Sequence, residues 1–139
     1  MKHPCVCIIG MGRFGCALAR ELMSGGCRVT VVDRNEAALT AIADKVNTAL
    51  IGDVTEPNLL QTLNLPHFDC IYVAVGREIL PFLAVANAVG AKNMSKVRCR
   101  ATNDAHRFVL RQFGIDQGLE VETLAAKQIA GELCSHEYA

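Results

Sequence analysis

Gly10-Met11-Gly12-Arg13-Phe14-Gly15 places three glycines where a chain can approach a phosphate closely. Gly10 allows a tight turn. Gly12 leaves room that a side chain would deny to a pyrophosphate, and Gly15 lets a helix lie against a strand. Asp33 follows about 20 residues on, after a run of β-branched residues, and its carboxylate can accept both hydroxyls of a ribose. Arg34, beside it, can welcome a 2′-phosphate. The pattern is a dinucleotide fingerprint, and the acid favours NAD(H) or an adenine nucleotide (ATP, ADP or AMP) over NADP. It carries weight only if a strand precedes the glycines and a helix follows them.

The surrounding sequence predicts both. Apolar residues run over 6–9 as a buried strand, and Phe14, Ala17, Leu18 and Leu22 recur at helical steps over 13–23. A second strand spans 28–33. Asn35 caps a helix reaching about Lys45, and a third strand spans 48–52. Thr55 caps a short helix over 56–63 that tolerates Pro57 in its first turn. A fourth strand over 69–75, a helix over 78–89 and a fifth strand over 96–101 follow. Asn103 or Thr102 caps the next helix, which ends at Phe113-Gly114. A weak sixth strand over 118–121 and a helix over 122–133 complete the chain. Such alternation predicts an α/β fold: a Rossmann-like doubly wound parallel sheet of six strands in the order 3-2-1-4-5-6.

Composition narrows the function classes. A chain of 139 residues fits a single domain over 1–139. With 51% hydrophobic and 20% charged residues it is not a disordered chain. Lys+Arg and Asp+Glu are 14 each, which argues against a strongly basic nucleic-acid binder. The seven cysteines form no CxxC pair and read as small buried hydrophobes in a reducing cytosol. The uncharged stretch over 79–91 is shorter than the ~17–25 residues of a membrane span. His3, His67, His106 and His136 lack metal-ligand spacing, and Cys134 with His136 reads as frayed surface. No nucleophile–base–orienter set is visible, and no reductase-type tyrosine–lysine pair: Tyr72 lies inside a strand and Tyr138 in the tail.

A second motif, Gly52-Asp53-Val54-Thr55, ends the third strand. Together with GxGRxG and Val31-Val32-Asp33 it resembles the N-terminal domain of RCK proteins (regulator of K⁺ conductance), also called KTN or TrkA-N. The similarity extends through Ala74-Val75-Gly76, Arg100-Ala101 and Glu122 to the late helix. Val54 stands where that family has alanine, and Val121 where it often has proline. The resemblance implies a regulatory, non-enzymatic nucleotide site governing a potassium channel or transporter. In that site Arg13 meets phosphate, Asp33 the ribose, and Asp53 and Val54 the adenine. Ala74, Val75 and Gly76 line the far side, Arg100 lies near the phosphates, and Glu122 lies near the site or an adjoining subunit. Met11, Phe14, Arg34 and Gly52 complete the candidate set. Read from the residues alone, Arg100 is equally a strand-end surface charge, and Glu122 a first-turn acid complementing the helix dipole.

The resemblance further implies a cytoplasmic module held at the inner face of the membrane by a transporter, with no membrane insertion of its own and no nucleic-acid partner. RCK proteins commonly carry a C-terminal ligand-binding subdomain. None follows Ala139, so the chain reads as a stand-alone module or a piece of a longer protein. The alternative is an NAD-dependent oxidoreductase or its isolated cofactor domain. A third reading, a redox-sensing transcriptional regulator, finds no helix-turn-helix or basic patch to support it. Finally, the helix over 79–89 is apolar on every face, and the next adds Phe108, Val109, Leu110 and Phe113. A surface helix should carry one apolar stripe. The excess predicts a symmetric homodimer through these two helices, as the resemblance also implies; a further C-terminal segment is the competing cover.

Overall fold

The computed structural model describes residues 3–76, 78–101, 104–112, 114–115 and 117–135. Its strands are β1 (Cys5–Ile9), β2 (Arg28–Asp33), β3 (Thr48–Ile51), β4 (Cys70–Val73), β5 (Val97–Arg100) and β6 (Gln117–Leu119). They form one sheet in the order β3-β2-β1-β4-β5-β6, every pair parallel. This is the order expected from the βα alternation. The helices are α1 (Arg13–Ser24), α2 (Glu36–Thr40), α3 (Pro57–Leu63), α4 (Leu80–Val89), α5 (Asp104–Gln112) and α6 (Val121–Leu133).

Strand side chains alternate between two cores, because successive Cβ atoms point to opposite faces. Cys7 and Ile9 of β1 meet Leu63 of α3, Phe82, Val85 and Val89 of α4, and Leu110 of α5. Val6 and Ile8 pack on the other face with Ala19 of α1, Leu39 of α2, Ile42 and Tyr72. Cover on both faces explains why β1 and β4 are near-continuous apolar runs. Burial pushes the Cys7 thiol up to about 12 and the Cys99 thiol up to about 11, so both behave as inert core residues. Cys134 is exposed.

Three local expectations are corrected. The helix capped by Asn35 does not reach Lys45: α2 stops at Thr40 and a 3₁₀ turn spans Ala43–Lys45. The backbone tightens there, the Ile42 N–H bonding to the Leu39 carbonyl and the Lys45 N–H to the Ile42 carbonyl with 3₁₀ spacing, while the Ile42 side chain stays fully buried. Asn35 does cap α2, its side chain accepting from the Ala37 N–H. Thr55 does not cap α3: Glu56 holds the N-cap position, and the Thr55 hydroxyl turns back to Asp53. The third correction is α4, which starts at Leu80 rather than 78 and keeps Pro81 within its first turn, where the missing N–H costs nothing. The cap at Thr102 or Asn103, Phe113, and the tail residues His136 and Tyr138 lie outside the described residues.

The last helix differs from the rest. No residue of α6 is buried, and Leu124, Ile129 and Leu133 are each more than half exposed. Among the described residues, no helix is long and apolar enough to cross a membrane.

Candidate functional site

A crevice of about 530 Å³ opens at the carboxyl ends of the strands. It lies where β1 neighbours both β2 and β4, the point at which strand order reverses and ligands of doubly wound sheets bind. Its floor is the glycine-rich turn. Gly10 has φ +103°, a conformation that L side chains rarely adopt, and a Cβ there would lie 2.9 Å from the Ala74 carbonyl group. Gly15 sits behind it, where a Cβ would collide with the Gly10 carbonyl oxygen. Both glycines are thus required by the fold.

Gly12 is not. Its backbone is ordinary extended chain, with φ −75° and ψ −165°, and a Cβ would meet nothing within 4 Å. It is the N-cap of α1, yet it offers no capping side chain, and the first turn of α1 holds no acidic residue. The α1 N-terminus therefore presents its N–H groups and positive dipole end to the crevice without a side chain in front of them.

The turn is tied to β2. The Met11 N–H donates to Asp33 Oδ2 at 2.7 Å, the Asn35 N–H donates to Asp33 Oδ1 at 2.7 Å, and the Gly10 N–H donates to the Val32 carbonyl at 2.8 Å. Each Asp33 oxygen keeps lone-pair capacity for a further donor. At the β3 tip, Asp53 Oδ1 accepts from the Thr55 N–H at 2.9 Å and from its hydroxyl at 2.7 Å. These two bonds, backbone first, hold the Asp53 carboxyl below its ordinary value, with Arg34 adding a smaller pull.

Arg100 enters the crevice from the end of β5, and its Nη2 is 2.6 Å from Glu122 Oε1 in the first turn of α6. The Glu122 carboxyl is held below its ordinary value, first by its own backbone N–H and then by the Arg100 guanidinium. Of the sequence-predicted residues, Gly10, Met11, Gly12, Asp33, Arg34, Gly52, Asp53, Val54, Ala74, Val75, Gly76 and Arg100 all line the crevice. Four do not. Arg13 is exposed beside it, and Phe14 turns away to place its ring 5.4 Å from that of Tyr72. Gly15 lies beneath the turn, and Glu122 reaches the crevice only through Arg100.

Sequence reasoning missed Ile9, Val32, Thr55, Glu78, Leu80 and Pro81, which also line the site. Thr55 was legible within the Gly52–Thr55 turn. Glu78 carried no signal, because only the topology brings it to Arg34, at 3.4 Å.

The TrkA-N domain family model matches residues 6–119. Ktr system potassium uptake protein C of Bacillus subtilis (strain 168) is 31% identical over 93% of this chain and 58% of its own length. The chain thus spans a little over half the length of that curated relative. Among solved structures, the TrkA-N domain of inner membrane protein ybaL from Escherichia coli superposes with TM-score 0.76 at 18% identity, covering 96% of this chain and 97% of that one. The GsuK channel bound to NAD gives TM-score 0.70 at 17% identity, covering 85% of this chain and 21% of that one. At these identities the solved structures establish the fold.

Proposed function

The chain belongs to the TrkA-N domain family, and we propose that its crevice binds NAD(H) or an adenine nucleotide (ATP, ADP or AMP) as the regulatory input of a potassium channel or uptake system. The observation that carries this reading is Gly12. Neither φ nor close packing requires a glycine there, and open space surrounds it at a helix N-terminus without a side-chain cap. An anion arriving from outside supplies the missing reason, because a helix N-terminus with bare N–H groups is a phosphate site. A pyrophosphate or phosphate then lies over Gly12, the ribose hydroxyls donate to Asp33, and the base rests by Asp53 and Val54. Arg100 supplies a guanidinium fork toward the phosphates. The relative's name, a potassium uptake protein, and the NAD of the GsuK structure favour the same reading. In this role the domain binds and signals rather than catalyses, at the cytoplasmic side of a membrane transporter.

Output through a second copy suits the outer surface of α4 and α5. Phe82 of α4 is fully buried and belongs to the core, but Leu80, Phe108 and Val109 are exposed. A homodimer through these side chains would let ligand occupancy change the angle between subunits. Because Phe82 is internal, the informative variant is Phe108→Glu with Val109→Glu. It should yield a folded monomer by light scattering where the parent chain is dimeric; a parent chain monomeric at tens of micromolar removes the dimer.

The site is tested by titration calorimetry with NAD⁺, NADH, ATP, ADP and AMP. Gly12→Val should abolish binding while the fold persists, with a cost of about 1 kcal/mol for exchanging a favoured N-cap residue for a poor one. Asp33→Ala should weaken binding by about 1.5–3 kcal/mol, roughly ten- to a hundredfold. Wild-type affinity in Gly12→Val would reduce the glycine-rich segment to a turn.

A further inference from the structure

We infer that Glu78 sets the crevice against nucleotides phosphorylated at the ribose 2′ position, by holding and neutralising Arg34; this deepens, and rests on, the nucleotide site proposed above. Arg34 directly follows Asp33, the carboxylate assigned to the ribose hydroxyls. It is a cation placed beside that sugar, and a guanidinium fork is well matched to phosphate. In the structure its Nη2 lies instead 3.4 Å from Glu78 Oε1. Arg34 follows β2 and Glu78 follows β4, with β1 between those strands. The pair therefore reaches across the opening above the glycine-rich turn.

The charge inventory of the crevice points the same way. Among the described residues, its charged lining is Asp33, Asp53 and Glu78 against Arg34 and Arg100. Arg100 is engaged by Glu122, and Arg34 by Glu78. A 2′-hydroxyl asks only for an acceptor, which Asp33 provides. A 2′-phosphate would bring a further double negative charge among three carboxylates, beside a cation already paired. Discrimination of this kind comes from repulsion of the wrong ligand as much as attraction of the right one. Stability does not explain the pair, because both side chains are about two-thirds exposed, at 67% and 65%, and such ion pairs contribute little to folding.

The experiment titrates the purified 139-residue chain with two matched ligand pairs: NAD⁺ against NADP⁺, and AMP against adenosine 2′,5′-bisphosphate. The readout is the affinity ratio within each pair. The parent chain should prefer the member without the 2′-phosphate. Glu78→Gln, an isosteric surface change, should narrow that ratio by about tenfold, and by less as ionic strength rises. Adding Arg34→Gln to Glu78→Gln should restore the preference, because the freed guanidinium is what receives the phosphate. An unmoved ratio in Glu78→Gln, with NAD⁺ or AMP still bound by the parent, overturns the inference alone. So does a parent chain that prefers the 2′-phosphorylated ligands. A parent chain that binds no member of either pair overturns the nucleotide site and the inference with it.

Discussion

Helices α1 and α6 both begin beside the crevice, and each contains one glycine, yet they stand in opposite relations to the fold. In α1, Gly15 and Ala19 are buried, and a Cβ on Gly15 would strike the backbone of Gly10. In α6 no residue is buried, and a Cβ on Gly131 would meet nothing within 4 Å. The Arg100–Glu122 pair ties the start of α6 to the sheet, between side chains 39% and 73% exposed. The first helix is scaffold, held so closely that it fixes the shape of the glycine-rich turn. The second is an attached arm whose apolar residues remain open to solvent.

Substitution at the two glycines should separate these roles most sharply. Gly15→Val must push α1 away from β1 and should cost about 3 kcal/mol, seen as a lower urea midpoint at unchanged slope. Retained stability would mean that α1 is not seated as described. Gly131→Ala should do the reverse. It exchanges a poor helix former for the best one in open space and should stabilise α6 by roughly 0.5–1 kcal/mol, read as a gain in helical circular dichroism. A loss in that variant that grows with protein concentration would reveal a second copy packed on the arm.

The smallest effect concerns the tether. Glu122 titrates below its ordinary value of 4.5, so the folded state holds the proton less tightly than the unfolded chain. The contribution of its carboxylate is therefore present above the ordinary value and lost as pH falls through the depressed folded value. Acid titration followed on the Arg100 Nε–H resonance should show a midpoint below 4.5. A midpoint at or above that figure would separate Glu122 from Arg100 in solution.

Much of this contrast was legible in sequence, for identifiable reasons. Strand order followed from βα alternation and right-handed crossover, and the Gly10–Gly15 turn located the crevice because each glycine has a local job. The end of α2 was not legible: helical spacing continues through Ile42, which is buried as that spacing implies, while the backbone hydrogen bonds shorten to 3₁₀ spacing. Phe14 was misplaced because its position in the fingerprint says nothing of its rotamer, and Tyr72 offers it an aromatic partner. Glu78 was invisible because an ion pair between residues so far apart exists only after the sheet has formed. The unburied state of α6 was equally out of reach, since its apolar pattern resembles that of a packed helix.

The clasp between Asp33 and the Met11 N–H has a kinetic consequence. The glycine-rich turn is held to β2 by this bond and by the Gly10–Val32 bond. A nucleotide bound as proposed would rest on a turn already fixed by the protein's own hydrogen bonds and would pay little ordering entropy there. Association should accordingly be single-phased and limited by encounter rather than by loop rearrangement, with affinity differences between nucleotides appearing mainly as residence times.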